Sequence, residues 1–574
     1  MIPSRCHPSR LVDWARRAFT LDARSLAIFR MALGAIVCSD AMLRTRDFSV
    51  MFGPEGMFPL AVLREFHSAP CVWSAATWID ASWWGGLVLA VEGLAGASLA
   101  VGAGTQLATA VAWLAVVSVV RRTAPATNGG DLWLACLLFW GMFLPLGRIW
   151  SLDALAATRY RRKKSSGWYS RLADGSQSHH RDTSGCATSA VATSDGGGRP
   201  PASAGSGAES GNGRPLERAV FSAGSVALVL QIMAVYLASG LSKCNASWLS
   251  GDAISLVLSV HDHGTRLGEF VAASQWLTRP ATWAVLAIEL AGPCLLLAVP
   301  RPRVRLAIAA AFILFHASIA ALMSVGLFAY VGMAAWLALL PASVWPGPGT
   351  TPLLAAAGSK ATGFNAGWPS MAWQSCCVAA GCLALASLIH HNGPWHNLPL
   401  PRPVAAAINI CCVDQDWGMF GEVLPQEQWV YARGELADGR VVDVLRGGRP
   451  LEAVRPADGF LSLPHHRWHK LFWELPRQPL RIFSPSIAAA LARQWNEAHT
   501  AGSRLRSLEI RYTRQAAPPA EESLHELLLA TWPPRDGSGR GNLDRLLDEQ
   551  QPPSRRKAST AGNEWSRGEA SQAR

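Results

Sequence analysis

Long apolar segments alternate with short polar breaks over most of the first 390 residues of the chain. Windows of about 18 or more apolar residues with few charges have the length that a helix needs to cross a bilayer. A stretch of about 35 apolar residues, Leu306 to Leu340, is too long for one crossing, so we expect a turn near Ser324-Val-Gly326 to divide it in two. The pattern predicts the remaining spans at 25–43, 84–101, 107–120, 132–149, 219–241, 281–299 and 371–388.

The chain becomes polar and alternating after residue 400. A hairpin is predicted around Ala437-Asp-Gly439, a helix over 485–499 and a strand over 506–514. The segments 157–218 and 516–574 have too few aliphatic residues to bury a core and are predicted to be disordered. We therefore predict an all-α polytopic membrane bundle of about 8–9 transmembrane helices with a small extracytoplasmic C-terminal domain, either α/β or β-rich. The predicted parts are a basic N-terminus at 1–24, helices 1–4 at 25–156, a loop at 157–218, helices 5–8 at 219–345, a last helix at 371–390, the soluble domain at 400–515 and a tail at 516–574.

Composition and charge agree with a membrane protein and suggest its orientation. Half of the residues are hydrophobic, 16% are charged, and the mean hydropathy is +0.16. The net charge of +12 is concentrated in the N-terminus, one loop and the tail, so it predicts topology and attraction to lipid headgroups rather than nucleic-acid binding. Nine spans would place the N-terminus and the basic 157–218 loop in the cytoplasm. Arg121 and Arg122 fall on the opposite side in this count, which leaves the helix number open by about one. The Arg/Ala-rich composition suggests a bacterial inner membrane.

Cysteine and histidine patterns do not predict a metal site. The 12 cysteines are scattered without a C-x-x-C spacing, which argues against a zinc site or a disulfide framework. His261-Asp-His263 and His465-His-Arg-Trp-His469 could each supply metal ligands, but neither has a matched third ligand. Solvated histidines are the simpler interpretation of both motifs.

A lysine follows the apolar segment that ends in Tyr236-Leu-Ala-Ser-Gly240-Leu-Ser-Lys243. At a membrane boundary its ammonium could snorkel to water, as basic side chains commonly do. Only six of the 52 basic residues are lysines, however, and a simple anchor in this chain would more often be arginine. A partly desolvated lysine can lose its proton and act as a base, whereas a guanidinium stays charged. Both interpretations remain open for Lys243.

An ordered series of motifs resembles the HTTM domain, the membrane domain shared by vitamin K-dependent gamma-carboxylase and many bacterial proteins of unknown role. The resemblance covers roughly residues 20 to 345 without the 157–218 loop. The motifs are Leu21-Asp-Ala-Arg24-Ser-Leu-Ala-Ile-Phe-Arg30, Trp150-Ser-Leu-Asp153, Tyr236-x-x-x-Gly240-x-x-Lys243-x-x-x-x-Trp248-x-x-Gly251, and Phe315-His316 followed by Ser324-Val-Gly326-Leu-Phe328-x-Tyr330.

The resemblance implies a role for Lys243 as the base that deprotonates a vitamin K hydroquinone-like quinol. In such carboxylases oxygen then adds to the quinol, and the strongly basic intermediate removes a γ-proton from a substrate glutamate before carbon dioxide attacks. Tyr236 and Trp248 are then candidate quinol-binding residues. His316 and Glu289 are further catalytic candidates, each with an alternative role in packing or in helix–helix hydrogen bonding.

One position departs from the carboxylase pattern. Carboxylases carry a functionally important histidine about twenty residues before the tryptophan of the Trp-Ser-x-Asp motif, where this chain has Gly129-Gly130. Glycine cannot position a proton or an oxyanion as histidine does. The resemblance therefore does not by itself imply carboxylation.

Two classes of function remain. The first is a carboxylase-like enzyme, with chemistry of the carbon–carbon lyase or ligase type, acting on a lipid-soluble quinol and an exported protein substrate. The second is a non-catalytic membrane scaffold or lipid-handling protein in contact with the bilayer. A transporter is a weaker third option, because the sequence has no evident inverted repeat. Convergence of Lys243, Glu289 and His316 on one apolar cavity would favour the enzyme, and tight packing would favour the scaffold.

Overall fold

The computed structural model describes residues 8–160, 218–346, 371–393, 398–451, 455–456, 459–516 and 524–534. The predicted disordered loop lies outside the described residues except for 157–160 and 218. The prediction of a disordered tail from residue 516 is wrong for His525–Trp532, which form a strand because Leu529 and Ala530 are buried against the C-terminal core. Residues 535–574 lie outside the described residues. Within the described ranges the protein is mostly helical, with a small sheet region near the C-terminal end.

The helices of the first 400 residues form the apolar bundle and its connections. They are α1 Pro8–Phe19, α2 Ala23–Arg44, α3 Phe48–Phe52, α4 Leu60–Phe66, α5 Ser82–Val101, α6 Thr105–Arg122, α7 Gly129–Gly141, α8 Ala223–Ser242, α9 Ala246–Leu249, α10 Ala253–Ser259, α11 Arg266–Ala272, α12 Gln275–Ala298, α13 Pro302–Leu322, α14 Phe328–Leu337 and α15 Met371–Asn392. A further helical segment occupies 152–160. The break between α13 and α14 confirms the turn predicted in the long apolar stretch.

Six helical segments among the described residues are long and apolar enough to cross a membrane. They are Ala23–Phe52, Ser82–Val101, Ala223–Ser242, Gln275–Ala298, Pro302–Leu322 and Met371–Asn392. Two further apolar helices, α7 and α14, are shorter. A multi-pass membrane protein is therefore supported, while the number of eight to nine spans and their orientation stay predictions.

Local sequence signals explain where several helices begin. The Asp22 carboxylate caps α2 by accepting a hydrogen bond from the Arg24 backbone N–H at 2.8 Å. Ser222 and Ser225 form a reciprocal capping box at the start of α8. A two-residue antiparallel bridge pairs β1 (Leu21–Asp22) with β2 (Ala219–Val220), so the chain entries to α2 and α8 lie side by side.

The C-terminal region folds as an antiparallel sheet covered by helices. Its strands are β3 Gln426–Leu436, β4 Val441–Asp443, β5 Arg449–Pro450, β6 Leu505–Ala516 and β7 His525–Trp532, in the order β5-β4-β3-β6-β7. The predicted hairpin joins β3 to β4, and the predicted strand is β6. Helix α16, Arg402–Cys411, precedes the sheet and packs against α15 of the bundle, so the predicted soluble domain begins later than residue 400. The helices that cover the sheet are α17 His466–Glu474 and α18 Ser484–Ala498.

The apolar core of this C-terminal domain continues into the membrane bundle. Phe58 and Phe66, from the loop and helix that follow α3, pack edge-on against Phe483 with ring centroids 5.7 and 5.4 Å apart. One buried cluster thus joins residues of α3 and α4 to the sheet and to α17 and α18. The shared core holds the domain in a fixed position against one end of the bundle.

Candidate functional site

Lys243 is the C-cap residue of α8, and its side chain turns back into the protein. Its ammonium lies 2.9 Å from the Glu289 carboxylate on α12, and the two side chains are only 4% and 5% exposed. A lysine that snorkels would expose its ammonium, so the snorkelling interpretation is wrong for this residue. Lys243 is one half of a buried ion pair.

The remaining protons of the Lys243 ammonium also have acceptors. The ammonium donates to the hydroxyl of Ser239, one turn earlier on α8, and to the Ser239 carbonyl at 3.3 Å. It lies 5.3 Å from the centre of the Trp248 ring, within the range of a cation–π interaction. The Trp248 indole N–H donates to the Phe420 carbonyl at 2.9 Å, which fixes the ring. The positive charge is therefore fully compensated by protein groups.

Gly240, part of the motif around Lys243, makes the ion pair possible. A Cβ atom at this position would lie 3.0 Å from the Leu290 side chain and 3.2 Å from the Glu289 Cβ. Only glycine lets α12 approach α8 this closely without displacing those side chains. The spacing Gly-x-x-Lys thus places Glu289 beside the ammonium.

His316 and Tyr236 belong to a second polar group within the bundle. The Tyr236 hydroxyl lies 2.7 Å from His316 Nε2, and the Trp336 indole N–H donates to the same hydroxyl at 2.7 Å. All three side chains are buried. The His316 ring also presses against the backbone of Gly332, where a Cβ atom would come within 2.2 Å of it. The His316 ring is thus fixed between the Tyr236 hydroxyl and the backbone of Gly332.

Aromatic rings surround this second group. Phe312 stacks on Trp336 with centroids 4.2 Å apart, and Trp133 of α7 lies 5.6 Å from Tyr236. Two buried nitrogens there, His316 Nδ1 and Trp133 Nε1, have no hydrogen-bond partner among the described residues. Buried polar atoms usually have hydrogen-bond partners. Two neighbouring rings that each carry an unpartnered nitrogen are therefore unusual.

The three catalytic candidates therefore do not form one cluster. Lys243 and Glu289 form the ion pair, whereas His316 bonds to Tyr236. Tyr236 and Lys243 are seven residues apart on α8, about two turns or roughly 10 Å along the same helix face. The two groups are neighbours on one helix but make separate contacts.

The structure explains why the chain has glycines at 129 and 130. A Cβ atom on Gly130 would lie 2.8 Å from the Phe328 backbone, and one on Gly129 would lie 2.2 Å from the Met419 sulfur. The space that a histidine would need is filled by α14 and by the segment after α16. No histidine fits at position 130 in this packing.

Sequence reasoning missed a buried charge network between the membrane helices and the C-terminal domain. Arg467 of α17 donates to Asp40 at 2.6 Å and to Asp131 at 2.9 and 3.1 Å. Arg44 donates to Asp40 at 2.8 Å and to Asp131 at 3.0 Å. The i, i+4 spacing of Asp40 and Arg44 at the end of α2 is the one sequence signal that could have found it.

The two histidine motifs meet at the same interface. The rings of His263 and His469 stack with centroids 4.4 Å apart, and Phe460 stacks on the other side of His469 at 4.6 Å. Burial lowers the pKa of His469 to about 3, lowers that of His263 well below its usual value and raises that of Asp262 to about 6. In the described ranges, no group of three or more His, Cys, Asp or Glu side chains is arranged to hold a metal ion. The stack joins the two domains.

The motifs near the N-terminus form a third, structural group. Arg30 donates to the Trp150 carbonyl at 2.6 Å. The Asp153 carboxylate accepts from the backbone N–H groups of Gly104 and Thr105 at 2.8 Å each, which caps α6. These residues tie α2, α5 and α6 together at the end of the bundle opposite the sheet domain.

Several long apolar helices with buried ion pairs define a multi-pass membrane protein. The family model of the HTTM domain matches residues 218–345, so this part of the chain contains an HTTM domain. The match contains Lys243, Glu289 and His316, and it does not extend to the motifs at 21–30 and 150–153. Neither the comparison with curated proteins nor that with solved structures gave a match.

Proposed function

We propose that this HTTM protein is a membrane-embedded, carboxylase-like enzyme in which Lys243 removes a proton from a lipid-soluble acid such as a quinol. The observation that carries the proposal is the ion pair between Lys243 and Glu289, 2.9 Å apart and almost completely buried. Ionisable residues inside membrane domains are costly, and they commonly mark functional sites.

The pair offers a direct way to generate a base. Moving one proton from the ammonium to the Glu289 carboxylate turns the ion pair into a neutral amine and a neutral acid. Apolar surroundings favour neutral forms, so this transfer costs less here than in water. The amine of Lys243 then takes the proton of a quinol hydroxyl: an O–H bond breaks, an N–H bond forms, and the oxyanion stays beside the new ammonium.

The aromatic group has the chemistry that a flat ring would need, although its rings are almost completely buried and a ligand would have to enter between them. Tyr236 and Trp133 present ring faces and edges close to the unpartnered His316 Nδ1 and Trp133 Nε1 atoms. The indole N–H can donate to a quinone or quinol oxygen. Trp248, which lies against the Lys243 ammonium, offers a second aromatic face near the base.

The proposal covers proton removal from the quinol and stops before carboxylation. The histidine that carboxylases carry is replaced by Gly129-Gly130, and the surrounding packing leaves no room for a side chain at 130. An exported protein substrate, which the resemblance implies, would require a further site for a glutamate side chain.

A non-catalytic scaffold is the second candidate function. It is favoured by the closed contacts of Lys243, whose ammonium pairs with the Glu289 carboxylate and donates to the hydroxyl and the carbonyl of Ser239. The separation of His316 from the ion pair also favours the scaffold. In this case the buried charges would serve to fix helix positions.

Epoxide formation from vitamin K hydroquinone distinguishes the two candidates. Wild type, Lys243→Ala and Lys243→Arg would be purified in detergent and assayed under air for hydroquinone oxidation, with a thermal melt for each. Molecular oxygen is the oxidant in this assay, and it adds to the quinol anion that Lys243 generates. Lys470→Arg is the matched control, because Lys470 lies outside the bundle and pairs with Glu474 on a partly exposed helix face. The enzyme proposal expects epoxide from wild type and from the control, and none from either folded Lys243 variant. Folded wild type that forms no epoxide would overturn the quinol proposal in favour of the scaffold.

A further inference from the structure

A basic cleft lies at one end of the bundle, between α1 and the turn that joins α12 to α13. Its volume is about 450 Å³. The cleft is lined on one side by Arg10, Asp13, Trp14 and Arg17 of α1 and on the other by 298–301, which includes Arg301. None of these residues belongs to the buried ion pair or to the aromatic group.

Two long-range hydrogen bonds hold α1 over this turn. The Trp14 indole N–H donates to the Leu297 carbonyl in the last turn of α12 at 2.8 Å. The Arg305 guanidinium donates to the Thr20 carbonyl, just after α1, at 2.8 Å. The first bond satisfies a helix-end carbonyl that has no partner within its own helix. The cleft is therefore a fixed feature of the fold.

The charge of the cleft suits an anion. Three guanidinium groups and one carboxylate line it, which gives a net charge of +2. No ion pair joins Arg10, Arg17 or Arg301 to a carboxylate of the described residues. The 21-residue helix α13 begins at the cleft with no side-chain cap and no acidic residue in its first turn. Its uncapped N–H groups add to the positive potential.

Apolar surface continues from the cleft along the outside of the bundle. The membrane segments of α12 and α13 are among the least buried of the candidate spans, with 28% and 17% of their residues inside the protein. Leu295 and Leu306, which flank the turn, are exposed. Leu11, one turn before Trp14 on α1, is 65% exposed and extends the apolar stripe of that helix.

We propose that this cleft is a binding site for an anionic phospholipid. The three arginines and the start of α13 bind the headgroup phosphate, while the acyl chains lie along the exposed leucines of α12 and α13. Arginine recognises phosphate by paired N–H donors, and basic pockets between membrane helices bind acidic headgroups. The apolar path selects a lipid over a free phosphate ion.

Native mass spectrometry of the full chain tests the site. Wild type would be mixed with defined micelles containing phosphatidylglycerol or phosphatidylcholine of the same chain length. The pocket variant is Arg10→Gln, Arg17→Gln, Arg301→Gln, which removes three exposed charges. The matched control is Arg16→Gln, Arg303→Gln, Arg159→Gln, which removes three exposed charges outside the cleft. Each arginine that binds the headgroup directly should contribute roughly fivefold in affinity, so the pocket variant should bind phosphatidylglycerol about a hundredfold more weakly. The control variant keeps the three arginines of the cleft and should bind it nearly as well as wild type.

Three outcomes decide the proposal. A loss confined to the pocket variant, with weak phosphatidylcholine binding throughout, supports a lipid site. Equal losses in the pocket and control variants would show diffuse attraction to the membrane surface and would overturn it. Displacement of phosphatidylglycerol by inorganic phosphate at a comparable concentration would show an anion site without lipid specificity, which also contradicts the proposal.

Discussion

The guanidinium of Arg467, on the C-terminal domain, lies 2.6 Å from the carboxylate of Asp40, on the first membrane helix. The two residues are 427 positions apart in the chain, and both side chains are almost completely buried. Asp131 binds the same guanidinium through both of its oxygens. Two arginines and two aspartates thus balance their charges at the junction between the membrane bundle and the sheet domain.

Replacing Arg467 with methionine should destabilise the protein strongly. Methionine retains the apolar stem but leaves the carboxylates of Asp40 and Asp131 buried with a single arginine between them. Removing one partner of a buried ion pair typically costs about 3–5 kcal/mol. The loss can be measured by chemical unfolding in detergent, together with limited proteolysis of the segment between residue 393 and the sheet domain.

Lys470→Met is the matched control for that experiment. Lys470 is on the same helix, and its pair with Glu474 is partly exposed. An exposed i, i+4 pair contributes roughly 0.3–0.5 kcal/mol, so this variant should melt close to wild type. Similar losses in the two variants would mean that the network does not hold the domains together.

The two glycines at the start of α7 should respond differently to alanine. At Gly130 a Cβ atom meets the Phe328 backbone at 2.8 Å, which cannot move away cheaply, so Gly130→Ala should cost about 1–3 kcal/mol. At Gly129 the neighbour is the flexible Met419 side chain, and alanine also favours a helix. Gly129→Ala should therefore be nearly neutral or slightly stabilising in a thermal melt. Equal effects at the two positions would argue against the close approach of α14.

Segment-level features of the fold were predictable because they depend on local patterns. The apolar spans, the turn before Phe328, the β3–β4 hairpin and the strand β6 all follow from periodicity and from turn residues near one another in sequence. The buried state of Lys243 was not predictable, because it depends on where α12 places Glu289. The Arg467 network was missed for the same reason.

The histidine motifs show this limit most clearly. His261-Asp-His263 and His465-His-Arg-Trp-His469 each read as solvated or metal-binding residues when taken alone. In the structure their rings stack on one another across the domain junction. A contact between residues about 200 positions apart leaves no signal in either motif.

Acid should weaken the domain junction through these histidines. The pKa of His469 is lowered to about 3, that of His466 to about 4, and that of His263 well below its usual value, in each case because burial disfavours the charged ring. The unfolded histidines take up protons near pH 6.5, whereas the folded ones do not. The free energy of unfolding should therefore fall as the pH drops from about 6.5 towards 4, by about 1.4 kcal/mol per pH unit for each histidine.

One neighbouring group opposes this trend. The pKa of Asp262 is raised to about 6, so below that pH the folded state gains a proton that the unfolded chain takes up only near its lower usual value. Because three histidines lower the free energy of unfolding in acid and one aspartate raises it, the net effect of acid is destabilising. His469→Phe, which keeps a ring between Phe460 and His263, should reduce the dependence of the melting temperature on pH between 6.5 and 4, because two of the three histidines remain. His525→Phe, at an exposed position, should not, and a flat profile in wild type would contradict the assignment.

Variants of the Lys243–Glu289 pair should affect the stability of the protein and its activity differently. Glu289→Gln leaves the ammonium without its counter-ion in a buried site and should cost about 3–5 kcal/mol. Removing both charges in Lys243→Met, Glu289→Leu leaves no buried charge, so this double variant should recover most of that loss in a thermal melt. If Lys243 is the base, the double variant will be stable and will form no epoxide from vitamin K hydroquinone. If the double variant is as unstable as Glu289→Gln, charge neutralisation is not the whole contribution of the pair to stability. The packing of Ser239 and Trp248 would then also depend on the two side chains.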